Sequence, residues 1–112
     1  MSSGYNESDL STGVRHVHRA LASLQEELEA IDYYNQRADQ SDDSSLKASL
    51  LHNRDEEVEH ATMLLEWLRR TMPEFDLAMK TYLFTTKPVT EIEAAGTEAD
   101  EGVAGLGLGS LK

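Results

Sequence analysis

There is no cysteine in this chain of 112 residues. That excludes a disulfide framework and any thiolate metal site, and it fits a reducing compartment such as the cytosol. Long apolar runs are missing too. No stretch approaches the ~20 residues that cross a bilayer, so no membrane span is expected. The first residues carry no basic segment followed by an apolar core, so a secretory signal is not expected either. Basic residues are scarce: 10 Lys and Arg stand against 21 Asp and Glu, for a formal net charge of −11. A nucleic-acid partner would want a basic footprint, so none is expected. The acidic surplus suits a protein that attracts cations.

What the chain does have is two long helical patterns. Residues 1–12 are polar, rich in Ser, Gly, Asn and Asp, and expected to be loose; Ser11 or Thr12 is placed to cap the first helix. Over 13–38, Val17, Ala20, Leu24, Ile31, Tyr34 and Ala38 recur at helical spacing, with no proline among them. Such a helix is about 40 Å long. Residues 39–45 are a polar breaker, with Asp43 or Ser44 as the next cap. Over 45–71, Leu46, Leu50, Ala61, Leu64 and Leu68 form a second apolar stripe. A connection this short makes the two helices antiparallel neighbours. Pro73 suits a helix start, and Phe75, Leu77, Ala78, Met79, Tyr82 and Leu83 predict a short third helix. Pro88 is expected to end regular structure. Residues 89–105 then read as an acidic, glycine-rich linker that cannot bury enough apolar surface to order itself.

Both stripes are interrupted by a glutamate, Glu27 in the first and Glu57 in the second. An ionised carboxylate on an apolar face is expensive unless it is paired, protonated or metal-bound. Glu57-Val58-Glu59-His60 is also a Glu-x-x-His step, which puts a carboxylate and an imidazole on one side of a helix. Two helices cannot enclose a core, and the usual solution is four around one interior. Two copies of the hairpin supply them, so a homodimer is expected. Two chains then offer one Glu27 from each of two helices and Glu57 with His60 from each of the other two. That is the ligand set of di-iron carboxylate bundles. Four carboxylates balance two divalent cations, and metal binding favours the assembly in which the whole site exists. Carboxylate oxygen with imidazole nitrogen suits Fe²⁺, Mn²⁺ or Zn²⁺ better than copper(I).

Three stretches make the chain recognisable. Glu26-Glu27-Leu28-Glu29-Ala30-Ile31-Asp32-Tyr33-Tyr34 is followed by His52-Asn53-Arg54-Asp55-Glu56-Glu57-Val58-Glu59-His60 and by Thr62-Met63-Leu64-Leu65-Glu66-Trp67-Leu68-Arg69-Arg70. Together they resemble the encapsulated ferritins, over residues 14–83 and again at the tail. The resemblance implies an all-α fold over 13–88. An antiparallel two-helix hairpin plus a short C-terminal helix would complete a ferritin-like four-helix bundle by dimerisation, with the dimers joined in a ring, typically a decamer. It implies a ferroxidase that oxidises Fe²⁺ to Fe³⁺ with O₂ at a di-iron site between subunits, with Ca²⁺ or Zn²⁺ as substitutes. It places the ligands at Glu27, Glu57 and His60, a nearby tyrosine at Tyr34, and a second, outer metal site at Glu26 and Glu29. Tyr33 stands where the family often has a tryptophan. Residues 106–112, with the spaced leucines Leu106, Leu108 and Leu111, look like the peptide that loads cargo into an encapsulin shell. The implied location is therefore the inside of an encapsulin nanocompartment in the cytoplasm.

Other residues are read more plainly. His16, His18 and His52 are expected to be structural or solvated, Met63, Met72, Met79 and Trp67 to pack, and Arg69 and Arg70 to answer the dipole at a helix C-terminus. Asp55, Glu56 and Glu59 are expected to face solvent or another subunit. Two readings stand beside the ferroxidase: a non-catalytic adaptor that chelates divalent cations along an acidic ridge, and an assembly whose interface metals only relieve carboxylate repulsion.

Overall fold

The computed structural model describes residues 4–102, with side chains as far as 96. Among the described residues it is all-helical, without strands. A 3-10 turn at Glu7–Asp9 precedes α1 (Thr12–Gln40), α2 (Ser44–Thr71), α3 (Pro73–Tyr82) and α4 (Val89–Gly102). The chain divides at Met72 into one compact unit of the N-terminal turn, α1 and α2, and a second unit to which α3 and α4 belong.

Ser11 caps α1, its hydroxyl accepting the Val14 N–H at 3.4 Å, and so satisfies one of the donors that every helix start leaves free. Residues 4–12 are more ordered than their composition suggests. Glu7 pairs with Arg19, and the Leu10 carbonyl accepts from Arg15 Nη2 at 3.0 Å, so two arginines one turn apart hold the 3-10 turn on α1. α1 continues two residues past the expected end, which shortens the break to 41–43. Asp43 then caps α2 by accepting the Leu46 N–H at 2.9 Å.

The hairpin closes on very little. Among the described residues only Ala20, Leu24 and Ala38 of α1 and Ala61 and Leu68 of α2 are buried, Leu68 completely. Three of the five are alanines, which let the helix backbones approach closely. Arg54 ties the helices nearer the turn, donating from Nη1 to Asn35 Oδ1 at 3.0 Å. Leu46, expected on the buried stripe, is more than half exposed. Val14, Leu21 and Leu28 of α1 and Val58, Met63, Leu65 and Trp67 of α2 are exposed as well. Met63 and Trp67 therefore do not pack inside the single chain as expected, because they lie off the seam between the two helices.

In the second unit Pro73 occupies the first turn of α3, where a missing N–H costs nothing. The Met72 carbonyl accepts from the Phe75 and Asp76 N–H groups at 3.0 and 3.1 Å. Residues 89–105, expected to lack regular structure, are helical from Val89 to Gly102. Pro88 starts this helix rather than ending order: its carbonyl accepts from Glu91 and Ile92 at 3.0 and 3.2 Å. Glu91 in the first turn answers the helix dipole, and Ala94 and Ala95 are strong helix formers. Residues 106–112 lie outside the described part of the chain. No described helix is long and apolar enough to cross a membrane.

Candidate metal centre

The two glutamates that break the apolar stripes meet. Glu27 comes from the middle of α1, Glu57 and His60 from the middle of α2, and one donor atom from each lies within 4.8 Å of the other two. His60 Nδ1 is 3.6 Å from Glu27 Oε2 and 3.8 Å from Glu57 Oε2. Donors that share one small divalent ion at ~2.0–2.2 Å stand no more than about 4.4 Å apart, and both separations from His60 fall inside that limit. The carboxyl groups are mostly shielded, each side chain 24% exposed, while His60 on the rim is 47% exposed.

Two features show the strain of this arrangement without a cation. Glu27 Oε2 is cut off from solvent and has no hydrogen-bond partner. His60 stands beyond hydrogen-bonding reach of it, and an orphaned buried acceptor is costly. The Glu27 carboxyl is also held above the ordinary glutamate range. The main cause is the Glu57 carboxyl, with which a protonated Glu27 can share its proton; partial burial and the charge on Glu57 add to this, and His60 opposes it. A divalent cation would remove the repulsion and supply the missing partner for Oε2. Two oxygens and one imidazole nitrogen suit a first-row divalent ion, so the residues present fit such a metal.

Other expected residues fall elsewhere. Tyr34 is half-buried, two turns from Glu27 on α1, and its ring lies under Arg37. Glu26 and Glu29 are exposed and are not among the residues brought together at the centre. His16 and His18 are exposed, and His52 pairs at 3.3 Å with Glu56 on the outer surface. Arg69 and Arg70 answer more than the helix dipole. Arg69 holds both oxygens of Glu66 at 2.7 and 2.8 Å, Arg70 reaches Oε2 at 2.6 Å, and together they pull the Glu66 carboxyl down to about 2. The signal for this clamp was the spacing of three and four between Glu66 and the two arginines.

Helical hairpins that bring a Glu and a Glu-x-x-His step to one point define the ferritin-like class of carboxylate proteins. The model of the EncFtn-like family matches residues 3–86. The chain belongs to that family, as its three motifs implied. It is 50% identical over 114 residues to a ferritin-like protein of Thermotoga maritima, covering 99% of this chain and all of that one. It is 50% identical over 107 residues to an encapsulated ferritin-like protein of Rhodospirillum rubrum, covering 85% of this chain and 76% of the relative. A crystal structure of a protein from Nitrosomonas europaea superposes with a TM-score of 0.75 at 55% identity, over 80% of this chain and 98% of the other.

Proposed function

We propose that this protein is a ferroxidase whose di-iron site forms where two copies of the α1–α2 hairpin meet. The observation that carries the reading is the convergence of Glu27, Glu57 and His60 around an orphaned buried oxygen, at a centre whose His60 rim the single hairpin leaves exposed. Iron is substrate: each Fe²⁺ gives up one electron and O₂ is the acceptor. The chain's own part is to hold two ions close between carboxylates of both copies, so that O₂ meets a pair of reductants rather than one.

A second copy is called for by what the single hairpin leaves open. His60, Met63 and Trp67 succeed one another on α2 at spacings of three and four, so an exposed apolar strip runs on from the open side of the centre. A twin hairpin seated there would cover the strip and bring in its own carboxylates. Leu21 and Leu28 on α1, with Val58 and Leu65 on α2, are exposed elsewhere on the hairpin. Further copies on that surface would extend dimers into a ring, with a decamer as the expected closure.

The name of the Rhodospirillum rubrum relative, encapsulated ferritin-like protein, supports placing this chain inside an encapsulin shell in the cytoplasm. Residues 106–112 would dock their spaced leucines in the shell wall, and the shell would store the mineral. Glu26 and Glu29, exposed on the same turn of α1, would pass incoming iron inward. Ca²⁺ or Zn²⁺ would occupy the same sites without being oxidised.

Stopped-flow absorbance after mixing with Fe²⁺ in air tests the reading, with O₂ consumption measured in parallel. Glu57→Ala and His60→Ala should both slow iron oxidation strongly. Unchanged rates in both variants would reject the assignment. Tight Fe²⁺ binding without O₂ uptake by the unmodified protein would identify a chelating adaptor instead.

A further inference from the structure

One cation on α1 serves two aromatic rings. The guanidinium carbon of Arg37 lies 5.9 Å from the centre of the Tyr33 ring and 5.5 Å from that of Tyr34. The sequence makes this possible, because Tyr33 and Tyr34 precede Arg37 by four and three residues and so share its side of the helix. Both distances are within the ~6 Å over which a cation is held by the negative face of a ring. Among the described residues Arg37 has no carboxylate partner that would neutralise it. Tyr34 also lies seven residues beyond Glu27, on the face that carries the metal centre.

From this geometry we infer that Arg37 is a positioning residue that fixes both tyrosine rings and opposes their one-electron oxidation. The attraction depends on an electron-rich ring. A ring that gives up an electron becomes cationic, and when the phenol proton leaves it becomes a neutral radical with a poorer π face. Either way the attraction to the guanidinium is lost or reversed, so oxidation is disfavoured. Arginine suits the task because it stays charged at any working pH and stacks on aromatic faces.

The purpose assigned to Arg37 rests on the ferroxidase reading. Near such a centre, iron(III) and partially reduced oxygen are the oxidants at hand. An electron passed from a tyrosine would either return iron(III) to Fe²⁺ or replace one that Fe²⁺ gives to oxygen, and in both cases would leave a radical in the protein. Arg37 keeps Fe²⁺ as the electron source, which gives Tyr34 a packing part rather than a redox one.

The test uses metal-free full-length protein and hexachloroiridate(IV), a one-electron oxidant that needs no bound iron. The electron passes to iridium, giving iridium(III), and the phenol proton passes to water. Peptide mass mapping reads oxidation at Tyr33 and Tyr34 against Tyr5, which is 82% exposed and serves as the internal control. Arg37→Gln should raise the ratio about two- to fivefold, the range set by an exposed cation–π contact. Arg37→Lys should leave it near the unmodified value. An unchanged ratio in Arg37→Gln, with helicity retained by circular dichroism, would overturn the inference. If Arg37→Gln loses helicity, Arg37→Lys decides: a ratio at the unmodified level supports the inference, and a rise to that of urea-unfolded chain overturns it. Because no iron takes part, a positive result would survive failure of the ferroxidase reading and would remove only the purpose assigned to the clamp.

Discussion

His60 Nδ1 stands 3.6 Å from Glu27 Oε2, an approach across two helices that is closer than its 3.8 Å approach to Glu57 on its own helix. The imidazole thus faces a carboxylate of each helix, midway along the hairpin. It also makes the centre a property of the tertiary fold rather than of the Glu-x-x-His step alone. An isolated α2 peptide would hold Glu57 and His60 together and lack the third donor.

Stability should depend on pH in two opposite ways. Glu27 titrates above its ordinary value of 4.5 in the fold, so its contribution is fully present below about pH 4.5 and is lost as pH rises through the folded value. In chelator-treated protein Glu27→Gln should therefore raise the thermal midpoint at pH 7, with the gain vanishing near pH 4.5. Glu66 titrates at about 2, so its contribution is present above the ordinary value of 4.5 and is lost as pH falls toward 2. Glu66→Gln should lower the midpoint at pH 7 and leave it unchanged in strong acid. Calorimetry across pH checks both signs.

Leu68 is fully buried in a seam made largely of alanines. Leu68→Ala removes the largest apolar contribution there and leaves a cavity between two long helices that relax poorly. The expected loss is about 2–5 kcal/mol, read from urea unfolding at a fixed protein concentration, since association also contributes to the measured stability.

Met63 is 64% exposed beside the open side of the centre. Met63→Lys should cost the lone hairpin almost nothing and weaken a dimer that buries this strip. The dissociation constant should rise at least tenfold, about 1.4 kcal/mol. Sedimentation velocity checks it, and an unchanged assembly would place the dimer contact elsewhere.

Deleting residues 107–112 should abolish co-purification with an encapsulin shell protein while leaving iron oxidation at its original rate. A tail that matters only for loading separates the two readouts. Joint loss of both would show that the tail also supports the fold.

Much of this was legible from residue spacing. Glu27 and Glu57 were found because each interrupts an apolar stripe, and their meeting came from a connection too short for anything but antiparallel neighbours. Contacts that a charged side chain makes along its own helix were less legible. The Glu66 clamp and the Arg37 stack obey the same spacing of three and four, but many such pairs occur on any charged helix and few form. Met63 and Trp67 illustrate another limit: apolar side chains predict burial without saying whether one chain provides the cover. Residues 89–105 misled because composition weighs what a segment can bury. Alanines and a carbonyl at Pro88 ready to start a turn make α4 a local matter instead.

That last helix changes what the end of the chain can do. Fourteen residues wound as α4 form a strut about 21 Å long, where a loose strand of the same length would wander over a range of distances. Any load carried beyond Gly102 starts from a stiff boom of defined stride. Inserting a single residue into α4 would therefore swing that load around the helix axis by about 100° as well as lengthen the reach.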